Sequence, residues 1–303
     1  MHKISVLMNC YNGESYLDKA IESVFAQSHE LWEIIFIDNC SNDNSAKIAQ
    51  SYGERVKYFK TNTNLNLGSA RKFGVEKCSK YIAVLDTDDI WLPNCLEVLY
   101  NAIKSGNYAL AYGNQFQIDN KGERIGFIKN IYSGNKGNFF NKLLLQFDIP
   151  LVASLIDKEK MLSANLNFDE NIYGSEEYCL FVQMAVKLDF IAVHDFLVNY
   201  RVHNSLSTKL HDKIHKERKY TLNKIIEENP NIRSLYPKPF SEAFSRGCYY
   251  EVQYLAYKKK KHQALKIMST IMLKDIRYFF LTIILLFPGF LFWNFIQHKK
   301  YKR

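Results

Sequence analysis

Short apolar runs alternate with amphipathic stretches through the first 118 residues. Five runs have the length of strands and end at turn-forming residues; they cover residues 4–8, 32–37, 56–59, 81–85 and 108–112. The stretches between them carry apolar side chains at helical spacing; they cover residues 16–25, 46–52, 70–75 and 96–103. Because strands that alternate with helices pair mostly in parallel, this pattern predicts an α/β domain with a mostly parallel sheet flanked by helices.

The pattern becomes weaker beyond this region. Residues 119–150 are rich in glycine, asparagine and lysine, which predicts loops and an edge hairpin. Residues 151–156 then have the pattern of a strand, and residues 176–188 that of an amphipathic helix. Two further runs, 190–193 and 197–202, predict a pair of closing strands.

The last third of the chain is helical and basic. Helices are predicted over residues 209–228 and 240–257, with a further helix ending near residue 274. We therefore predict a domain of residues 1–207, a helical appendage of residues 208–276, and a separate segment of residues 277–303.

Residues 278–296 contain no charged side chain. As a helix, this segment has about the length needed to cross the ~30 Å hydrocarbon core of a membrane. Pro288 and Gly289 interrupt this segment, and both of its flanks are basic. A re-entrant hairpin or a helix in the plane of the membrane is therefore favoured over a single span. A buried helix of the appendage is the third alternative. We expect residues 277–303 to bind the membrane surface.

Polar side chains stand at the ends of three predicted strands. Asn9 follows the first strand, Asp38 the second, and Asp86, Asp88 and Asp89 the fourth. Since ligands of parallel sheets bind beyond the carboxyl ends of the strands, these residues are expected on one rim. Carboxylates this close need solvent or a cation, which indicates a metal and nucleotide site. The alternative is an Asp-rich turn, and we assign Asp89 to such a role, as a helix cap.

Composition narrows the classes of partner. The net charge of +9 indicates an anionic partner. The six cysteines form no C-x-x-C pair, which argues against a zinc module or a disulfide-rich fold and favours a reduced compartment. No G-x-G-x-x-G turn follows the first strand, which excludes a dinucleotide oxidoreductase. The lysines are concentrated beside the apolar segment without interleaved aromatic residues, so nucleic acid is not an expected partner.

The chain resembles the family 2 glycosyltransferases, which have the Rossmann-like GT-A fold, and in particular the inverting enzymes of bacterial cell-surface polysaccharide assembly. The resemblance runs from residue 4 to about residue 207. It rests on motifs in the family's order: residues 4–13, 20–28, 37–43 and 68–71, and the D-x-D-like Asp86-Thr87-Asp88.

The resemblance implies roles on the donor side. Six residues are expected to bind the nucleotide: Asn9, Tyr11, Asp38, Asn39, Arg71 and Asp86. Asn39 departs from the family, which often has an acid there, so the identity of the base is less well defined. Asp88 and Asp86 would hold Mn²⁺ or Mg²⁺ against the diphosphate, since hard oxygen ligands select such ions.

The resemblance also implies a catalytic base. Glu176 and Glu177 are similar to the family's E-D motif, with Glu177 at the usual position of the base aspartate. Its longer side chain leaves open which of the two acts. Further along, residues 200–207 resemble the closing Y-R-x-H-x-x-S-x-S motif. There His203 is expected as a metal ligand and Arg201 near the diphosphate.

The sequence thus predicts a metal-dependent inverting glycosyltransferase of the hexosyltransferase type. It would move a sugar from a nucleotide donor, expected to be a UDP-sugar, to a hydroxyl of a glycan or lipid-linked glycan. The expected location is the cytoplasmic face of the inner (plasma) membrane, as a peripheral or monotopic protein, in lipopolysaccharide or capsule assembly. Two alternatives remain: a non-catalytic membrane-bound scaffold with this fold, and a sugar-nucleotide nucleotidyltransferase.

Overall fold

The structure is a computed structural model that describes residues 2–202 and 211–286. The described chain divides into two units. The first comprises residues 2–143 and 147–202, and the second comprises residues 144–146 and 211–286.

The apolar runs of the first unit form a single mixed sheet. Its strands are β1 (Ile4–Cys10), β2 (Trp32–Asp38), β3 (Val56–Lys60), β4 (Tyr81–Val84), β5 (Ile90–Trp91), β6 (Leu110–Ile118), β7 (Arg124–Ile128), β8 (Lys136–Asn138), β9 (Ser154–Asp157) and β10 (Asp189–Arg201). Their order is β3-β2-β1-β4-β9-β6-β10-β5, with β7 paired to β6 and β8 paired to β10. The strands β3, β2, β1 and β4 are parallel, and β6 is parallel to β10. This sheet, flanked by helices, confirms the predicted α/β class.

The prediction of two closing strands was wrong. Residues 189–201 form the single strand β10, and its register against β6 shifts between Ala192 and Phe196 and again before Val198. A β-bulge of this kind leaves extra residues unpaired while the strand continues. His194 and Asp195 are exposed at the bulge, and they interrupt the apolar pattern that the sequence shows as two runs.

The hairpin predicted within residues 119–150 is confirmed. β6 and β7 are antiparallel neighbours, and the turn between them is held by Asp119, whose Oδ1 accepts the N–H groups of Lys121 and Glu123, both across 2.9 Å. Gly122 has a φ of +93°, a conformation that glycine adopts without steric cost.

Helices cover both faces of the sheet in the first unit. They are α1 (Glu14–Phe25), α2 (Ser45–Ser51), α3 (Leu67–Lys77), α4 (Cys95–Lys104), α5 (Phe140–Leu145), α6 (Lys158–Ser163) and α7 (Glu176–Lys187), and the last two residues of α5 are assigned to the second unit. The apolar stripe of α1 is buried in the core, as its spacing predicts. On α3, a Cβ atom at Gly74 would lie 2.3 Å from Leu7 Cδ1, so this glycine lets the helix approach β1 closely.

The described part of the second unit is helical, with α8 (His211–Glu228), α9 (Ile232–Leu235), α10 (Pro237–Tyr257), α11 (Lys261–Ile271) and α12 (Ile276–Leu286). Helices α10, α11 and α12 share one apolar cluster, to which α12 contributes Tyr278, Leu281 and Leu285. Residues 276–286 therefore pack on the predicted appendage, and residues 287–303 lie outside the described part. Among the described helices, none combines the length and the apolar character that crossing a membrane requires.

Candidate active site

The carboxyl ends of β1, β2 and β4 meet at one edge of the sheet. β1 lies between the other two strands, and Cys10 pairs with Asp38 at the end of β2. On the other side, the N–H of Leu85, just after β4, donates to the Leu7 carbonyl across 3.1 Å. The loops that follow the three strands are thus neighbours, as the alternating pattern predicts.

Two glycines allow the backbone to approach closely around these loops. A Cβ atom at Gly13 would lie 2.9 Å from both Cys10 Sγ and Thr87 Oγ1, so the loop after β1 contacts the loop after β4. A Cβ atom at Gly68, near the start of α3, would lie 2.2 Å from the Asp169 carbonyl oxygen. This contact brings α3 against the segment that precedes α7.

Asp38 and Asn39 fix the chain after β2. Asp38 is fully buried; its Oδ1 accepts the Ser41 N–H across 2.7 Å, and its Oδ2 accepts the Tyr58 hydroxyl. Burial and this bond to Asp38 raise the pKa of Tyr58. The amide of Asn39 donates to the Leu65 carbonyl and accepts the Leu65 N–H, each across 2.8 Å. These bonds shape the rim, and a direct contact of either residue with a nucleotide stays a prediction.

Asn9 and Tyr11 lie on the same edge of the sheet, but the polar atoms of Asn9 are buried whereas Tyr11 is exposed. Both polar atoms of the Asn9 side chain are buried and lack a hydrogen-bond partner in the part of the chain that the structure describes. A buried unsatisfied amide is costly, so Asn9 is ready to exchange hydrogen bonds with a ligand. Tyr11 is 48% exposed and is accessible to a ligand at the rim.

Arg71 on α3 joins the two acidic parts of the site. Its side chain is 2% exposed, and its NH2 donates to Asp86 Oδ1 across 2.8 Å. Its NH1 is ion-paired with Oε1 of Glu176 at the start of α7, which is also buried. One fixed guanidinium thus holds the loop after β4 beside the first turn of α7. Its predicted contact with a diphosphate is not tested by these bonds.

Replacing Arg71 should destabilise the fold. Arg71→Met leaves the Glu176 carboxylate buried without its cation, and breaking a buried ion pair by removing one partner costs about 3–5 kcal/mol. Denaturant unfolding should show this loss in the single variant. The matched control is Arg71→Met with Glu176→Met, which removes both charges and should recover most of the stability. A double variant no more stable than the single one would contradict the pairing.

Asp89 does not cap a helix, so that part of the sequence prediction was wrong. Helix α4 begins at Cys95 after Asn94, whereas Asp89 is 1% exposed and its Oδ1 accepts the Arg201 N–H across 2.7 Å. Burial, reinforced by the charges of Asp88 and Asp86, holds the pKa of Asp89 well above its usual range. Asp89 joins the loop after β4 to the end of β10, a contact between residues far apart in the chain.

The hydrogen bond of Asp89 can be tested with two substitutions. Asp89→Ala leaves the buried Arg201 N–H without an acceptor and should lower the free energy of unfolding by about 1–3 kcal/mol. Asp89→Asn keeps an acceptor oxygen and removes a buried charge, so its stability should stay close to wild type. Chemical denaturation compares the three proteins, and an asparagine variant as unstable as the alanine variant would refute this role.

Arg201 holds the acidic loop after β4 through hydrogen bonds to backbone carbonyls. Its Nε donates to the Asp88 carbonyl across 2.8 Å and its NH1 donates to the Asp119 carbonyl across 2.7 Å. The guanidinium also stacks on Tyr16, 4.3 Å from the ring centre. Arg201 therefore positions the backbone of the predicted metal ligand, and its contact with a diphosphate stays a prediction. His203, the other residue predicted from the closing motif, lies outside the described residues.

Glu176 and Glu177 have different surroundings. Glu176 is 3% exposed and is ion-paired with Arg71, whereas Glu177 is half-buried. Acidic residues in the first turn of a helix are also favoured by its dipole. The two positions that the sequence leaves open are therefore distinguished: Glu176 takes part in a buried ion pair, and Glu177 is the more accessible carboxylate.

Tyr200 is a site residue to which sequence reasoning gave no role. Burial raises the pKa of its hydroxyl, and the negative charges of Asp89, Asp86, Asp88 and Glu177 contribute to the same shift. Tyr200 precedes Arg201 in the closing motif, and this position in the sequence was the one indication of a role. Neighbouring positions in the sequence do not show which acidic residues influence a side chain.

Asp86 and Asp88 fit one kind of divalent-metal site. Both are half-buried, and Arg71 bonds to only one oxygen of Asp86. Burial raises the pKa of Asp86, and the Asp88 charge adds to this while Arg71 opposes it. Among residues 2–202 and 211–286, no three His, Cys, Asp or Glu side chains are grouped to hold a metal by themselves. A site of one or two carboxylates completed by substrate phosphates matches this arrangement and is typical of Mg²⁺.

The fold is that of the GT-A glycosyltransferases. The structure resembles crystal structures of TarS from S. aureus, including residues 1–349 in complex with UDP-GlcNAc. For that complex the TM-score is 0.71 with 13% sequence identity, and the match covers 89% of this chain and 80% of the other.

The chain belongs to the glycosyl transferase family 2. The sequence model of this family matches residues 5–163, which include the three strand ends and the acidic loop. A relative in Escherichia coli is 25% identical over 236 residues, covering 77% of this chain and 90% of that protein. It is the UDP-Glc:α-D-GlcNAc-diphosphoundecaprenol β-1,3-glucosyltransferase WfgD.

Other relatives are longer than the matched region. An uncharacterized glycosyltransferase of Rickettsia bellii is 31% identical over 187 residues, which cover 60% of this chain and 26% of that protein. A second one, from Rickettsia felis, is matched over 34% of its length. The chain thus spans about a quarter of the first protein and about a third of the second.

Proposed function

We propose that the protein is a metal-dependent, inverting glycosyltransferase that moves a sugar from a UDP-sugar to a hydroxyl of a lipid-linked glycan. The observation that carries this proposal is that the buried Arg71 guanidinium is ion-paired both with Asp86, in the acidic loop, and with Glu176, the neighbour of Glu177. An acid assigned to the donor side and the residue next to the proposed base thus contact the same side chain. The donor and acceptor in the name of WfgD and the nucleotide complexes of TarS support the choice of substrates.

On the donor side, residues of the chain bind the sugar nucleotide and orient it. Asn9 offers a buried amide to the base or ribose, and the backbone between Asn9 and Tyr11 lines the same place. The rim held by Asp38, Asn39 and Arg71 gives these groups a fixed geometry. Asp88 and Asp86 would hold Mn²⁺ or Mg²⁺, with His203 as a further ligand and Arg201 near the diphosphate. When bound, the ion neutralises charge on the departing nucleoside diphosphate.

On the acceptor side, Glu177 is the proposed base. It takes the proton of the acceptor hydroxyl as that oxygen bonds to the anomeric carbon and the bond to the diphosphate breaks. The attack comes from the face opposite the leaving group, so the anomeric configuration inverts. Glu176 is the weaker candidate because its carboxylate is buried against Arg71.

We also propose that the outer face of α12 binds the membrane surface. Its inner face packs in the second unit, whereas Ile276, Phe279, Phe280, Ile283 and Leu286 are between 39% and 65% exposed within the described chain. These positions follow helical spacing and form one apolar stripe. Such a stripe beside basic residues suits a helix that lies in the plane of an anionic bilayer. This fits the in-plane alternative and a peripheral location.

The membrane proposal predicts a loss of binding to lipid. Burying a phenylalanine side chain contributes about 1.5 kcal/mol or more, so replacing both Phe279 and Phe280 by serine should weaken binding to anionic phospholipid vesicles at least about tenfold. Sedimentation with vesicles measures this. Replacing Ile125 and Phe127 by serine, two exposed apolar residues on β7, is the matched control and should leave binding unchanged. Equal binding by wild type and the α12 variant would refute the proposal.

The proposed transfer is tested with a panel of sugar nucleotides and polyprenyl diphosphate-linked glycans, using mass spectrometry to detect the extended product. We expect a mass increase of one sugar residue and release of the nucleoside diphosphate. Formation of a sugar nucleotide from a sugar phosphate would instead identify a nucleotidyltransferase. Absence of turnover with every donor would favour a non-catalytic scaffold.

A further inference from the structure

A polar cavity lies in the first unit, at the middle of β6, apart from the acidic loop. It has a volume of about 230 Å³ and is lined by Gly113, Gln115, Ile128, Asn130 and residues 147–150. The space is larger than the ~150 Å³ apolar cavity that accommodates benzene and several times the ~30 Å³ that a water molecule occupies. It therefore has room for a ring.

Two acceptor oxygens at this cavity, on Asn130 and Asp148, are fixed because the other polar atoms of the same residues are hydrogen-bonded. The N–H and Nδ2 of Asn130 both donate to Asn114 Oδ1 across 2.8 Å, which fixes the orientation of the Asn130 amide. Its Oδ1 is buried and has no partner in the described chain. Asp148 uses Oδ2 to accept the Ile131 N–H across 2.6 Å, and its Oδ1 is likewise buried without a partner there.

Two of the polar atoms at this cavity are thus acceptors without a donor among the described residues. Buried polar groups in proteins are normally paired with protein, water or a ligand. Tyr112 precedes Gly113 on β6 and is fully buried, but it does not line the cavity.

The remaining walls of the cavity are apolar. Phe147, Ile128, Ile149 and Pro150 face it, and Phe147 is held edge-on against Tyr178 with ring centres 5.2 Å apart. Apolar walls with a few fixed polar groups are characteristic of small-molecule sites. Two fixed acceptors need donors, and a sugar ring has neighbouring hydroxyls that donate while its C–H face packs on apolar side chains.

We propose that this cavity is a sugar subsite for the acceptor, in which Asp148 and Asn130 accept hydrogen bonds from ring hydroxyls. The inference rests on the proposed function. β6 leads from Gln115 to Asp119, whose carbonyl is bonded to Arg201 beneath the acidic loop. At about 3.3 Å per residue this path is about 13 Å long, so the subsite would bind a sugar of the acceptor other than the one that reacts.

The subsite predicts that longer acceptors bind more tightly. A panel of mono-, di- and trisaccharide glycosides is titrated into the full-length protein by saturation-transfer NMR, for wild type, Asp148→Asn and Tyr112→Phe. For a sugar that binds wild type, Asp148→Asn should weaken binding about tenfold to a hundredfold, because one strong acceptor is replaced by a donor. Tyr112→Phe, at a position that does not line the cavity, should have little effect on binding. Asp195→Asn, which removes an exposed carboxylate, should have no effect.

Several outcomes would overturn the subsite. Binding equal in wild type and Asp148→Asn would do so, as would a panel in which no glycoside binds because ordered water alone fills the cavity. Asp148→Asn should still fold, because asparagine can accept the Ile131 N–H. Burial raises the pKa of Asp148 to about 6, which shows that the site disfavours the charge that the substitution removes. Donor hydrolysis by wild type is measured separately; its absence would count against the proposed transferase and not against sugar binding.

Discussion

Asp88→Asn is expected to reduce sugar-nucleotide turnover in the presence of Mn²⁺ by about 10²–10³-fold. Asparagine keeps the size of the side chain but removes the charge that holds the ion, and Lewis-acid stabilisation of the leaving group contributes several kcal/mol to such a reaction. The substitution keeps the backbone carbonyl that accepts the Arg201 Nε–H, so this contact should be retained. Release of the nucleoside diphosphate measures the rate.

Two controls sharpen this test. Asp195→Asn removes an equivalent charge from the exposed bulge of β10 and should turn over donor like wild type. Calorimetry should show that UDP promotes Mn²⁺ binding to wild type and to Asp195→Asn, but far less to Asp88→Asn. Normal turnover by Asp88→Asn would remove Asp88 from the site and leave the acidic loop as a structural turn.

Glu177→Gln is expected to lower the rate of transfer by about 10²–10⁴-fold, the usual contribution of a general base. Its affinity for UDP, measured by calorimetry, should stay within about twofold of wild type, because a base for the acceptor does not bind the nucleotide. Glu177 lies outside the Arg71 ion pair, so this variant should not show the loss of stability expected from breaking that pair.

Glu176→Gln provides the comparison. It removes the charge that pairs with buried Arg71, so it should lower the free energy of unfolding by about 3 kcal/mol as well as the activity. Loss of transfer in Glu176→Gln at unchanged stability, with full activity in Glu177→Gln, would exchange the two roles. An NMR spectrum of the product that shows a retained anomeric configuration would refute a base at either position.

The sequence predicted the rim well for a physical reason. Asn9, Asp38 and Asp86 each follow a short apolar run, and in a parallel sheet the ends of such runs meet. Strand positions and their alternation with helices are local properties, so an apolar pattern contains them. The predicted break between the closing strands failed because the bulge of β10 exposes polar residues inside a continuous strand. The predicted strand 151–156 also begins later, at Ser154, after a 3-10 helix at Leu151–Ala153.

The contacts within the site could not be predicted in this way. Arg71 is paired with Glu176, and Asp89 accepts the Arg201 N–H, and both contacts join residues more than a hundred positions apart in the chain. Local periodicity does not encode such pairs. For Asp89 the local sequence predicted a helix cap. This prediction was wrong because tertiary packing buries the side chain against the end of β10.

We propose that Asp86 and Asp88 would hold a divalent ion that activates a sugar nucleotide for transfer. The most direct measurement is hydrolysis or transfer from a panel of sugar nucleotides by the full-length protein with Mn²⁺, and again after chelation by EDTA. We predict nucleoside diphosphate release from at least one donor with Mn²⁺, its loss with EDTA, and its recovery when Mn²⁺ is restored. Release that persists undiminished in EDTA would contradict metal dependence, and no release from any donor with Mn²⁺ would contradict the proposed transferase activity.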